Sequence, residues 1–234
     1  MAQIKILNLG FNNEGSYSFA YTLADYDYLA YDAVLIYSGY NDLGELSNPG
    51  KPNLRVFRHR SPVFRWTGYL PLLPIFAADK LEQWQRPRQS GKVIFEPSNH
   101  NGAETASELE RQVGKLTPAG PQINPAPPGQ CPAEWDFYCD HIYAAVDAAL
   151  KKGKRVLIVG EPYISDRHIV QQTALQSMLR SRFAGQSRVR YLSLGRAVDL
   201  RDKALCWDGM HLNAEGNRRI AAALAQPVLD LLRQ

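Results

Sequence analysis

The chain has 234 residues, 45% of them hydrophobic, which suits one well-cored domain with insertions. Its 27 Lys and Arg against 23 Asp and Glu leave a net charge of +4. That charge is spread along the chain rather than gathered into the basic stripe of a nucleic-acid binder, so nucleic acid is set aside as a partner.

The start, Met1-Ala2-Gln3-Ile4-Lys5-Ile6-Leu7, runs straight into an apolar segment and lacks the charged flank, long apolar run and cleavage site of a signal peptide. Ile4 to Asn8 is expected to be a strand, and Gly10 to Gly15 a polar turn. A helix follows to about Ala30, with Ser16 or Ser18 as its cap. Ala33-Val34-Leu35-Ile36-Tyr37 is then a continuous apolar strand of the kind buried on both faces in parallel sheets. Strand, helix and strand in this span make a βαβ unit.

Between Gly44 and Gln130 the rhythm breaks into a long excursion, with a helix expected near Pro74 to Trp84 and a Pro/Gly-rich connector from Thr117 to Pro132. The densest basic cluster, Arg55, Arg58, His59, Arg60 and Arg65, reads as a solvated surface loop, with an anionic substrate or lipid headgroup as the alternative. The apolar window from Trp66 to Ala78 is broken by Gly68, Pro71 and Pro74 and is shorter than the about 20 residues of a membrane-spanning helix. Beyond the excursion the alternation returns. A helix is expected over Ala133 to Lys152, a strand over Arg155 to Val159, a helix from His168 to Phe183, a strand from Val189 to Leu194, and a last helix from Asn213 to Leu232. The pattern is that of an open α/β architecture.

The three cysteines, Cys131, Cys139 and Cys206, lack metal-site or redox spacing and read as idle thiols. A Cys131–Cys139 bridge is the alternative for an exported protein. The remaining histidines, His59, His100, His141 and His168, have no partner at a useful spacing and read as structural or solvated.

Open α/β sheets bind ligands at the carboxyl ends of their strands, and two constellations fall there. Ser38-Gly39-Tyr40-Asn41-Asp42 leaves the strand Ala33 to Tyr37, so that Gly39 permits a tight exit and Asn41 presents an amide able to donate to an oxyanion. Trp207-Asp208-Gly209-Met210-His211-Leu212-Asn213 precedes the final helix. An Asp three residues ahead of a His on a turn can reach the imidazole Nδ1 and leave Nε2 free as a general base. Glu161-Pro162-Tyr163, after a third strand, reads as a strand-to-loop turn, with substrate contact as the alternative.

Taken together, these segments resemble the SGNH/GDSL hydrolases. Gly39-Tyr40-Asn41-Asp42 is similar to the family's third block, Asp208-Gly209-Met210-His211 to its fifth, and Asn8-Leu9-Gly10-Phe11 leading to Gly15 to its second. The resemblance implies a three-layer α/β/α, flavodoxin-like parallel sheet in a single domain over residues 1–234. Its family-like segments are 3–45 and 133–234, and an insertion fills about 46–132. It also implies His211 and Asp208 as catalytic residues and Asn41 with Gly15 as the oxyanion hole, Asn13 or Gly10 being alternatives for that glycine. Asp42 would fix the turn. No metal or cofactor is required, and the substrate would be a small-molecule or carbohydrate ester.

The family's first block, Gly-Asp-Ser on a first strand, has no counterpart here. Three explanations compete: an incomplete N-terminus with the serine, and any export signal, upstream; a non-catalytic ligand- or carbohydrate-binding relative; or an unusual nucleophile. Loss of the first strand would expose strand edges and make the chain unstable alone or prone to pair with a neighbour. A flavodoxin-like nucleotide domain is disfavoured by Glu14 in the loop where phosphate would sit.

Overall fold

The computed structural model describes residues 4–11, 14–45, 48–49, 54, 57–85, 107, 110–116 and 130–233. Asn13, Arg55, His100 and the part of the Pro-rich connector from 117 to 129 lie outside them.

The sheet has three parallel strands, β1 (Ala33–Ser38), β4 (Arg155–Gly160) and β5 (Val189–Ser193), in the order β1-β4-β5. Two short segments, β2 (Gly44–Glu45) and β3 (Asn48–Pro49), pair as a separate antiparallel ladder. The α-helices with both ends among the described residues are α1 (Phe19–Asp25), α2 (Pro62–Thr67), α3 (Leu72–Gln85), α4 (Asp136–Lys151), α5 (Asp166–Arg182) and α6 (Ala214–Leu232), and residues 110–114 are helical as well. The chain is thus mixed α/β, as its alternating pattern requires. Among the described residues no helix is long and apolar enough to cross a membrane.

Strand β4 is central, and its alternate residues face two cores. Val156 and Ile158 join Leu23, Trp135, Tyr138, Ile142 and Leu175 beneath α1, α4 and α5. Leu157 and Val159 join Leu194, Leu205, Ile220 and Leu231 beneath α6. Burial on both faces explains why β4 is an unbroken apolar run. Strand β1 is treated less evenly. Ile36 is buried on the α4 side, whereas Leu35 and Tyr37, in register with Leu157 and Val159, are 44% and 39% exposed. Helix α6 covers the centre of its face of the sheet and leaves β1 open.

Several expectations need correction. Ile4 to Asn8 is not a strand: residues 4–10 carry no regular structure, and Ile6 is 86% exposed. An apolar run becomes a strand only where a neighbour satisfies its backbone donors and acceptors, and no described strand lies beside this one. The first helix stops at Asp25 rather than near Ala30, and neither Ser16 nor Ser18 caps it through a side chain. The cysteines are not all idle, because Cys131 and Cys139 form a disulfide with Cα atoms 6.4 Å apart, at the entry to α4, while Cys206 is free and buried.

The basic cluster is not simply a solvated loop either. Arg58 is buried, donating to Thr22 Oγ1 at 2.6 Å and ion-paired with Glu14 at 3.3 Å and Asp25 at 3.6 Å. His59 also meets Asp25, at 2.8 Å. These pairs satisfy charges that would otherwise be costly to bury, and they tie the excursion to the turn before α1.

Candidate active site at the strand ends

The turn after β1 is short because Gly39 admits nothing larger than hydrogen. A Cβ there would lie 2.6 Å from Gln172 Nε2, 2.7 Å from His168 Nε2 and 2.9 Å from Glu161 Oε2. The register explains this crowding, since Ser38 pairs with Gly160 and the next residues, Gly39 and Glu161, leave the sheet side by side. The Tyr40 amide donates to Glu161 Oε2 at 2.6 Å, and the Tyr40 hydroxyl donates to the Pro162 carbonyl at 2.5 Å. From beneath, Gln171 Nε2 donates to the Gly39 carbonyl and Gln172 Nε2 to the Ser38 carbonyl, at 3.2 and 3.3 Å.

These polar groups sit in the interior, and their protonation follows from that. Burial pushes the Glu161 carboxyl up to about 8; the Tyr40 amide opposes this and the charge of Asp42 adds to it. Burial alone lowers the His168 imidazole to about 3, so the ring is neutral at ordinary pH. His168, expected to be structural or solvated, is fully buried, with its ring edge-on to Tyr40 at 5.0 Å.

Asp42 fixes the turn from the other side. Its carboxylate accepts the Ser16 amide at 2.9 Å and the Ser16 hydroxyl at 2.6 Å. Burial raises it to about 6 against the pull of those bonds. Gly15 packs directly on this carboxylate: a Cβ would approach Asp42 Oδ1 to 2.8 Å. Asn41 then donates from Nδ2 to the Glu14 carbonyl at 3.0 Å, which brings the turn after β1 against the turn before α1. An amide nitrogen has two hydrogens, so this bond leaves Asn41 a second one to offer. Gly10 is apart from this arrangement, exposed and with its amide donating to Asn8 Oδ1 at 2.9 Å.

The second constellation stands in the loop before α6. Asp208 Oδ1 accepts the backbone amides of Met210 and His211 at 3.0 and 2.7 Å, and Oδ2 accepts from His211 Nδ1 at 2.6 Å. Gly209, at φ 83°, supplies the left-handed step that lets the loop close on its own aspartate. Partial burial pushes the Asp208 carboxyl up, and the bonds from His211 and Met210 outweigh it and hold the group below its ordinary value. Asn213 caps α6 by accepting the Glu215 and Gly216 amides at 2.9 and 3.0 Å, which anchors the residue two places after His211.

The His211 side chain is 64% exposed, so an imidazole oriented by Asp208 stands open to solvent. Tyr40 from the first turn and Met210 and Leu212 from the second pack on the same core cluster around Val159 and Leu205. Gln171 and Gln172 carry no expectation from the sequence, and His168 only that of a structural or solvated residue; polar side chains on the inner face of α5 are the signal that marks all three. The serines near the site are not open nucleophiles. Ser16 and Ser18 are buried with hydroxyls donating to Asp42 and to the Gly15 carbonyl, and Ser38 is buried in β1. No family model matches the chain, and no curated protein or solved structure does either.

Proposed function

We propose that this chain carries the base and oxyanion elements of a serine ester hydrolase of the SGNH type, acting on a small-molecule or carbohydrate ester. The observation that carries the reading is the Asp208–His211 pair, closed at 2.6 Å through Nδ1 with the imidazole open. A histidine so oriented is a general base at Nε2. In this reading the nucleophilic serine comes from a segment outside these 234 residues, on a strand bonded to the edge of β1 that no described strand occupies. The exposed Leu35 and Tyr37 favour this, since a further strand and its following helix would cover them.

In the reaction the serine hydroxyl attacks the ester carbonyl as His211 takes its proton. Asn41 Nδ2 and the Gly15 amide donate to the oxygen that becomes negative. The tetrahedral adduct collapses, the leaving alcohol receives the proton from His211, and a water activated by the same imidazole then frees the acid. Asp208 holds the ring in the productive tautomer throughout. A buried Asp42 braced by Ser16 fits a turn-fixing role better than substrate contact. The disulfide favours an oxidising compartment.

The test is hydrolysis of p-nitrophenyl acetate by this chain, and by a form extended with the coding sequence upstream of it, each also carrying His211→Ala. The expected result is activity in the extended form only, reduced about 10⁶-fold by His211→Ala. An inactive extended form that still binds acetylated sugars would establish the non-catalytic alternative instead.

A further inference from the structure

The excursion after β3 carries the most exposed apolar surface in the described chain. Over the two short helices α2 and α3, Trp66 is 90% exposed, Leu73 82%, Tyr69 80% and Phe76 60%, with Val63, Leu72 and Leu81 also exposed. A water-soluble surface rarely strings so many large apolar side chains together without a use for them. The segment is well anchored at its start: Phe57 stacks edge-on against Tyr17 at 4.9 Å, His59 lies 4.6 Å from Tyr21, and buried Arg58 is held by Glu14 and Asp25. The exposed side chains therefore follow directly on a stretch fastened beside the candidate site.

Charge identifies what covers it. Residues 51–92 contain nine Lys and Arg against two Asp and Glu, a net +7, while the whole chain carries only +4. The rest of the molecule is accordingly net negative. Along the sequence the positive charge is thus concentrated in the segment that carries the apolar side chains, and of its described cations Arg60, Arg65 and Lys80 stand exposed while Arg58 is buried and paired. Trp and Tyr with a polar tip, aliphatic side chains, broken short helices and flanking cations match the layer between lipid headgroups and acyl chains. A protein partner of complementary charge would also satisfy the cations; the lipid boundary is preferred because Trp66 and Tyr69 stand beside largely exposed aliphatic side chains on two helices too short to span, the pattern of an interfacial anchor.

We propose that residues 57–85 form a monotopic docking surface for an anionic lipid bilayer, with Trp66, Tyr69, Leu73 and Phe76 entering the headgroup boundary and Arg60, Arg65 and Lys80 meeting lipid phosphates. The surface stands independently of the ester-hydrolase reading, because it invokes neither His211 nor Asn41.

Co-sedimentation with phosphatidylcholine vesicles, with and without one-third phosphatidylglycerol, tests it. The wild-type chain pellets with the anionic vesicles at least tenfold more than with the neutral ones, and about 1 M salt, where the Debye length is about 3 Å, removes most of that preference. Trp66→Ser/Tyr69→Ser/Leu73→Ser abolishes binding, and Arg60→Glu/Arg65→Glu weakens it by more than tenfold. Both variants keep the wild-type urea midpoint, because every substituted side chain is exposed. Tyr28→Ser, equally exposed but outside the segment, leaves binding unchanged. No pelleting with anionic vesicles, equal pelleting with neutral ones, or an equal loss in Tyr28→Ser overturns the proposal. So does a concentration-dependent dimer abolished by the triple variant in a chain that ignores vesicles, which would make this face a contact between copies.

Discussion

The turn after β1 and the loop before α6 rest on the same core cluster but are held by opposite means. The first is held from two sides by Glu161, Gln171, Gln172 and Asp42, all buried, so its shape is a property of the interior. The second is a local device in which Asp208 collects two nearby amides and an imidazole, and its histidine stands mostly in water. Changes to the buried supports of the first turn should therefore register mainly in stability, and changes in the second mainly in chemistry.

The largest break in that comparison comes from Asp42→Ala. It strands the Ser16 amide and hydroxyl without their acceptor, and each buried unsatisfied donor costs about 1–3 kcal/mol. A loss of about 2–4 kcal/mol in urea unfolding is expected. A loss below about 0.5 kcal/mol, the range of ordinary surface changes, would show that the turn is not supported from the interior.

Next in size is a pH effect. The Glu161 carboxyl, raised to about 8 by burial, favours the fold when protonated; that stability is complete below 4.5 and is lost as pH rises to about 8. Asp42 behaves the same way up to about 6. His168 works in the opposite sense, because its lowered pKa gives stability that is complete above 6.5 and lost as pH falls toward about 3. Between pH 6.5 and 8 Glu161 dominates, because the remaining titrations of Asp42 and of the unfolded-state His168 are small and opposite in sign. Stability should fall there by about 2 kcal/mol, at about 1.4 kcal/mol per pH unit. Urea titrations at the two pH values check this, and Glu161→Gln should flatten the difference. A wild type with equal midpoints would mean that Glu161 is not buried as described.

The smallest effect belongs to the second loop. His211→Ala removes an exposed side chain with one local partner and should shift stability by no more than about 0.5 kcal/mol. A larger shift in thermal unfolding would show that the loop, too, is part of the core.

Much of the scaffold was legible from residue order. The apolar runs of β1, β4 and β5, the start of the last helix at Asn213 and the Asp-x-x-His spacing are local signals, and the structure carries each within a residue of where the sequence puts it. The failures share a cause. Ile4 to Asn8 has the composition of a strand but no described neighbour to bond, and Arg58 looks solvated until Glu14 and Asp25 close on it. The bridge between Cys131 and Cys139 likewise depends on how the chain approaches α4. His168 and Gln172 meet Gly39 only because parallel pairing of β1 with β4 sets α5 beneath the turn.

By itself, then, the sequence determined the apolar runs of β1, β4 and β5, the three long helices of the second half, the two polar turns at the strand ends and the Asp208–His211 pairing, because each rests on periodicity or on contacts within a few residues. Tertiary structure alone decided which apolar runs become strands, which charges are buried and paired, and which polar side chains lie under the turn after β1. Those outcomes depend on hydrogen bonds and desolvation between segments far apart in the chain, and short-range pattern carries no record of them.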